Sequence, residues 1–303
     1  MKSREAGVGS QRAPVMALML ILACSAPLNA QAPDAAYRAE FKKWQQEQVK
    51  DLKENWLPLI GLFWLKEGDN IFGRDRDARI SIERDHLLGR EGAFRLKQGV
   101  VWFEASPGSH VRLGKASFQE AMLTPSPPGP PTVLEAGSLR MFIIKRGDRY
   151  GLRVKDLDSE ATRQFKGLET YRLSAAYVVA ADFVPGNGRT MTVPNVIGDK
   201  QEVPVVGEVR FRLNGRELHL DAMDGGDGAL FIVFSDLTKK KDTYPGGRFL
   251  DAAAPKDGKV ILDFNKAYSP PCAFTPYATC PLPPKQNQLR VEIPAGEKYA
   301  GHR

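Results

Sequence analysis

The sequence predicts a mainly β protein: two antiparallel β subdomains, one sandwich-like and one barrel-like, behind an N-terminal amphipathic helix. Three observations carry this. Beyond Pro58 the apolar residues recur with a period of two, as in Arg79-Ile80-Ser81-Ile82-Glu83, which is the spacing of a half-buried strand. The runs are separated by glycine, asparagine and aspartate turns, Asn214-Gly215 the strongest of them, and this is the composition of tight hairpins. No regular alternation of strand and helix patterns follows, which argues against a doubly wound parallel sheet and for barrels or sandwiches.

Residues 1–30 read as an export signal. Lys2, Arg4 and Arg12 precede an apolar run from Ala13 to Ala23 that only Pro14 interrupts, and a short small-residue segment ends at Ala30. That order is the order of a cleaved leader, and the run falls short of the ~20 residues a permanent span needs. Leu28-Asn29-Ala30 suits cleavage before Gln31. Ile21-Leu22-Ala23-Cys24 resembles a lipobox, in which Cys24 would carry the lipid. The expected location is periplasmic or secreted, with lipid anchoring in the cell envelope as the alternative. No later segment is apolar enough to cross a membrane.

Residues 31–57 hold the helix. Asp34 can cap it, Tyr37, Phe41, Trp44 and Leu52 fall at near-helical spacing, and Pro58 ends it. Residues 58–123 form the first β subdomain, with a hairpin about Lys97-Gln98-Gly99 and a turn at Gly114 leading to a strand at Ala116–Phe118. Five prolines between Pro125 and Pro131 mark 124–138 as a linker, because proline lacks the ladder donor. Residues 139–303 form the C-terminal β domain. Gly147-Asp148 and Asn214-Gly215 turn two of its hairpins, Ser159–Gln164 is a short helix, and Gly225-Gly226-Asp227-Gly228 is a further turn. Leu230–Phe234 is buried on both faces, and Val260–Phe264 and Leu289–Ile293 complete the strands.

The formal charge is +7, of which the leader's three basic residues and one acidic residue supply two, leaving +5 on the mature chain. That charge is dispersed, with no basic stripe among aromatics, which argues against nucleic acid. Signatures of a nucleophile elbow, a zincin helix, a P-loop or a dinucleotide fold are absent from the sequence, so it names no cofactor. The four histidines are scattered without ligand spacing, and no metal is expected.

One region is dense in polar and aromatic groups. Asp236, Thr238, Thr243, Tyr244 and Arg248 gather about one turn, and Asp263, Asn265, Tyr268 and Tyr277 follow the next strand. Were the two strands neighbours, these groups would converge at one end of a barrel. An arginine there is fitted to hold a carboxylate or phosphate through two parallel hydrogen bonds. The competing reading is structural, with Arg248 paired to Asp236 or Asp263. Cys272 and Cys280, eight apart in a proline-rich segment, favour a disulfide in an oxidising compartment.

The stretch from Asp263-Phe264-Asn265-Lys266-Ala267-Tyr268-Ser269-Pro270-Pro271-Cys272, through Tyr277 and Thr279-Cys280-Pro281-Leu282-Pro283-Pro284, to Asn287 and Ala295-Gly296-Glu297 resembles the C-terminal signature of domain of unknown function family 1684. Thr243-Tyr244 with Gly247-Arg248-Phe249-Leu250 resembles its second signature, and Gly61-Leu62-Phe63-Trp64-Leu65 with Gly68-Asp69-Asn70 its N-terminal one. This bacterial and archaeal family brings no activity with it. The resemblance implies a shared site role for the two cysteines, since similar ones occur in relatives that look cytosolic. Asn70–Arg74, Arg79–Ile82 and Gly92–Leu96 are similar in rhythm to a forkhead-associated β-sandwich. The segment Leu88-Gly89-Arg90-Glu91-Gly92 lacks that family's phosphothreonine-reading pattern, so a fold likeness is implied and phosphopeptide binding is not.

Three functions compete on this reading. The first is an envelope module that binds a small, anionic ligand or a partner through the C-terminal β domain. The second is an envelope hydrolase or other enzyme with a non-standard site there. The third is a structural or interaction protein.

Overall fold

The computed structural model of the chain describes residues 34–299 and 301, so the leader, Cys24 and both cleavage sites lie outside the described residues. The helix Ala35–Asp51 starts where Asp34 accepts a hydrogen bond from the Tyr37 amide at 2.7 Å. It closes in a wider turn of π type over Leu52–Trp56. Phe41 is its buried residue. Tyr37 donates its hydroxyl to Asp263 at 2.8 Å, Lys266 pairs with Glu40 at 2.6 Å, and Trp44 meets Tyr268 edge-on at 6.4 Å. The helix therefore leans on the C-terminal half, although it leads in sequence into the first sheet.

Two five-stranded sheets close on one core. The first has the order Leu59–Trp64, Arg149–Asp156, Leu139–Arg146, Val133–Ala136, Arg112–Leu113. The second has the order Ile80–Ser81, Gly68–Gly73, Gly92–Lys97, Val100–Ala105, Glu120–Leu123. Phe72, Phe94 and Phe103 from one sheet and Leu139, Met141, Ile143, Leu152 and Val154 from the other fill the space between them. Pairing is antiparallel except between Gly68–Gly73 and Ile80–Ser81. Leu88–Gly92 is organised by Glu91, fully buried, which accepts from the amides of Leu88 at 2.8 Å and His110 at 2.7 Å.

This arrangement corrects the expected boundary at the proline-rich stretch. Val133–Ala136 is a strand inside 124–138, and Ser126 bridges to Ile144. The hairpin Leu139–Asp156 then pairs with Leu59–Trp64. The prolines exclude ladder bonds only where they stand, so the chain crosses that stretch and returns to the same sheet. The change of sheet falls after Asp156.

The rest of the chain builds a six-stranded half-barrel in the order Arg248–Ala252, Ala229–Phe234, Arg216–Gly226, Gly207–Leu213, Val178–Pro185, Lys259–Asp263. Its two edge strands curl towards each other around Val209, Leu220, Leu230, Ile232, Leu250 and Leu262. Asn214 and Gly215 have φ of 50° and 74°, the left-handed pair a two-residue hairpin needs. Thr190–Pro194 and Lys200–Pro204 form a separate ribbon.

Two expected strands are absent. Ala116–Phe118 is reduced to one bridge at Ala116. Leu289–Ile293 keeps its alternation, with Leu289, Val291 and Ile293 all buried, and touches the chain at Ser235 and Leu237 through single backbone bonds. No ladder follows, because the Asp236 carboxylate takes the Ile293 amide at 2.6 Å. Among the described residues no helix is long and apolar enough to cross a membrane.

Candidate functional site

Arg248, the residue expected to face a pocket, is 1% exposed. One of its terminal nitrogens donates to the Ala295 carbonyl, and the other to the Ile293 carbonyl at 3.0 Å and to Asp236 at 3.2 Å. The Phe234 ring lies 5.2 Å from the guanidinium. Its Nε, like that of Arg153, is buried without a hydrogen-bond partner among the described residues, and its charge is met by Asp236, which also accepts from Thr238 at 2.8 Å, while Thr238 meets Thr243 at 3.0 Å. Burial lowers the Arg248 pKa and Asp236 opposes that shift. Glu297 lies in the same buried region, accepts from the Ser269 amide at 3.2 Å, and is pushed up to about 7 by burial. This network ties the last segment of the chain to the half-barrel.

The other expected site residues do not converge on Arg248, which corrects that reading. Asn265 holds Ser174, donating to its carbonyl at 2.9 Å and accepting from its amide at 3.1 Å. Asp263 receives the Tyr37 hydroxyl and an amide–carboxylate bond from Asn265 at 3.1 Å. Tyr268 donates to Asp251 at 2.9 Å and packs on Phe249. Tyr277 is half-buried and its amide bonds Thr275 at 3.3 Å. Tyr244 donates to the Cys272 carbonyl at 3.1 Å. The side chains of Asn265, Asp263, Tyr268 and Tyr244 each tie one stretch of the chain to another, and the polar density of the region is the density of its irregular backbone. Turns without ladder partners need side chains to satisfy their amides and carbonyls.

A different pair of arginines is placed for chemistry. On the strands Leu139–Arg146 and Arg149–Asp156, Leu139, Met141, Ile143, Leu152 and Val154 enter the core. The alternation puts Phe142, Ile144, Arg146, Arg153 and Lys155 on the opposite face, and Arg153 stands opposite Phe142 in the ladder. That face is covered too. Ile144 is 2% exposed and Arg153 is 7% exposed. Thr279, in the loop that carries the cysteines, accepts from Arg146 Nε at 3.0 Å and from Arg153 Nη2 at 3.4 Å. Trp56 lies 5.4 Å from the Arg153 guanidinium, held by its own bond to Asp51 at 2.9 Å.

Neither guanidinium forms an ion pair among the described residues, and Arg153 Nε is buried without any hydrogen-bond partner. Burial and then the charge of Arg146 push Arg153 down to about 10, with Cys280 acting the other way. It remains a cation at neutral pH. Lys155, on the same face, is lowered by burial and held by the Glu54 carbonyl at 3.1 Å and Asn55 at 2.9 Å. By the same alternation Arg140 and Arg149 stand on this face, ion-paired to Glu135 and Asp199, so among the described residues Arg146, Arg153 and Lys155 are its cations without an ion pair.

Cys272 and Cys280 meet beside this pair as free thiols, the Cys272 amide donating to Cys280 Sγ at 3.2 Å. Cys280 is buried and Cys272 half-exposed. The Cys272 pKa is lowered by the contact with Cys280 and by Tyr244, while Cys280 is raised by Cys272 and by burial. Sequence reading had selected the cysteines and missed the arginines. A signal was present: Phe142 and Ile144 make the second face of that strand apolar, so a charge beside them had to be buried.

The model of the family described as "Protein of unknown function (DUF1684)" matches residues 163–298. The solution NMR structure of an uncharacterised protein of Haloarcula marismortui is 31% identical, with 45% of this chain and 78% of that chain covered and a TM-score of 0.38. No curated protein matches the chain.

Proposed function

The chain belongs to this family of unknown function, and we propose that it is an exported binding module of the cell envelope that holds a small anion between Arg146 and Arg153. The export part rests on the leader pattern of residues 1–30. The observation that carries the binding part is Arg153: 7% exposed, cationic, with Nε unpartnered and, among the described residues, only the Thr279 hydroxyl to bond. A buried charge is costly unless it is paired and hydrogen-bonded. A phosphate or carboxylate supplies both, because its oxygens match the planar fork of a guanidinium. Arg146, half-exposed and bonded through Nε to the same hydroxyl and through Nη1 to the Lys145 carbonyl, adds a second cationic guanidinium and a side open to solvent. Trp56 closes the other side by stacking near the guanidinium, an attraction that strengthens as the cation is desolvated.

Isothermal titration of the purified protein with inorganic phosphate, and separately with succinate, tests this. One of the two binds with a stoichiometry of one. Arg153→Lys keeps the charge, loses the fork, and weakens that binding by about tenfold or more, equivalent to ~1.4 kcal/mol. An affinity unchanged by the substitution would place binding elsewhere and reject the site.

A further inference from the structure

We propose that Cys272 and Cys280 are a reversible thiol–disulfide couple whose state sets the anion affinity of the neighbouring arginine pair. The second half of this rests on the anion reading of Arg146 and Arg153. The geometry supplies the first half. The Cys272 amide already touches Cys280 Sγ at 3.2 Å, so the two sulfurs are separated by no more than a side-chain rotation at Cys272. The loop between them is held at both ends. Pro271–Ala273 is a short helical turn, and Pro281 bridges to Asn195. Cys272 is half-exposed and Cys280 buried, the division of an attacking and a resolving sulfur. The lowered pKa of Cys272 agrees with the attacking role.

The chemistry balances with a low-molecular-weight disulfide as oxidant. The Cys272 thiolate attacks that disulfide, its S–S bond breaks, and one thiolate leaves and takes up a proton. The sulfur of Cys280 gives up its proton and attacks the mixed disulfide, releasing the second thiol. Two protein thiols are oxidised and one small disulfide is reduced to two thiols.

Coupling follows from adjacency. Thr279, the common acceptor of both guanidinium groups, precedes Cys280 in the chain. Closing the disulfide fixes the loop that presents Thr279. The oxidised protein therefore binds the anion more tightly. Linkage is reciprocal, so the anion lowers the reduction potential of the couple, by about 30 mV for a tenfold difference in affinity.

The test equilibrates the purified protein in glutathione buffers of graded ratio, blocks free thiols by alkylation, and reads Cys272 and Cys280 by peptide mass, with and without inorganic phosphate. Titration calorimetry with phosphate is run on both end states. The expected result is a two-electron transition linking these two residues, tighter phosphate binding when oxidised, and a more negative midpoint with phosphate present. Cys272→Ser abolishes the transition and leaves the affinity at the reduced value in every buffer. No disulfide at any ratio overturns the couple. A disulfide with equal phosphate affinity in both states overturns the coupling while the anion site stands. A disulfide with neither phosphate nor succinate bound in either state overturns the coupling together with the anion site.

Discussion

Arg248 and Arg153 are both buried arginines, and the groups around them give them opposite roles. Arg248 faces a carboxylate and two carbonyls; Arg153 faces one hydroxyl and a tryptophan ring. Arg248→Met leaves Asp236 buried without its counter-charge, and removing one member of a buried pair costs ~3–5 kcal/mol. Urea denaturation should show that loss as a lower midpoint with an unchanged slope. Glu297 makes a prediction in pH. Its pKa rises from an ordinary 4.5 to about 7 in the folded protein, so folding favours the protonated form. Its contribution is complete below pH 4.5 and is lost as pH rises through 7. Glu297→Gln should remove that part of the decline, making the variant gain on the parent between pH 5 and pH 8 in melts at fixed ionic strength. A gap that stays constant over that range would contradict the buried acid. From sequence, Arg248 stood in a turn cluster with two readings open, a pocket arginine or a partner of Asp236 or Asp263, and the structure shows the pair with Asp236. Nothing in a string of residues distinguishes an arginine that meets a carboxylate from one that waits for it.

At the scale of elements, the hairpins were the most legible parts. Asn214-Gly215, Gly147-Asp148 and Gln98-Gly99 each turn one, because a tight turn is decided by two residues whose backbone preferences are local. The run Leu230–Phe234 was legible as a central strand and pairs on both sides. Leu289–Ile293 was not legible, since its alternation reports burial, and the Asp236 carboxylate replaces a ladder bond there. The helix Ala35–Asp51 was readable from its cap and its aromatic spacing, but not its docking partner. Its tie to the half-barrel is tested by Tyr37→Phe, which deletes the hydroxyl bound to Asp263. A hydrogen bond to a charged group is worth ~1.5–3 kcal/mol, and hydrogen exchange should show the helix amides opening more readily than those of the strands. Equal protection in parent and variant would mean that Trp44 and Lys266 suffice to dock it.

For the whole molecule, the arrangement of sheets explains where the arginine pair comes from. Arg146 and Arg153 stand on a hairpin of the first sheet, while Thr279 and the cysteines belong to the segment carrying the family signature. The pair meets them only because that hairpin, on the far side of the prolines, returns to Leu59–Trp64. This long-range pairing was invisible to a linear reading that placed a boundary at the prolines. The decisive measurement is a pair of thermal melts, parent against Arg153→Met, in the absence and presence of inorganic phosphate. Methionine removes the unpaired charge and keeps much of the volume, and replacing buried charge by apolar groups is often neutral or stabilising. Without phosphate the variant should melt at or above the parent. With phosphate at about a hundred times its dissociation constant the parent should gain ~2.7 kcal/mol, while the variant stays where it was, so that the two curves exchange order. A variant that melts well below the parent without phosphate, beside a parent that phosphate does not move, would make Arg153 a structural clamp and contradict the account.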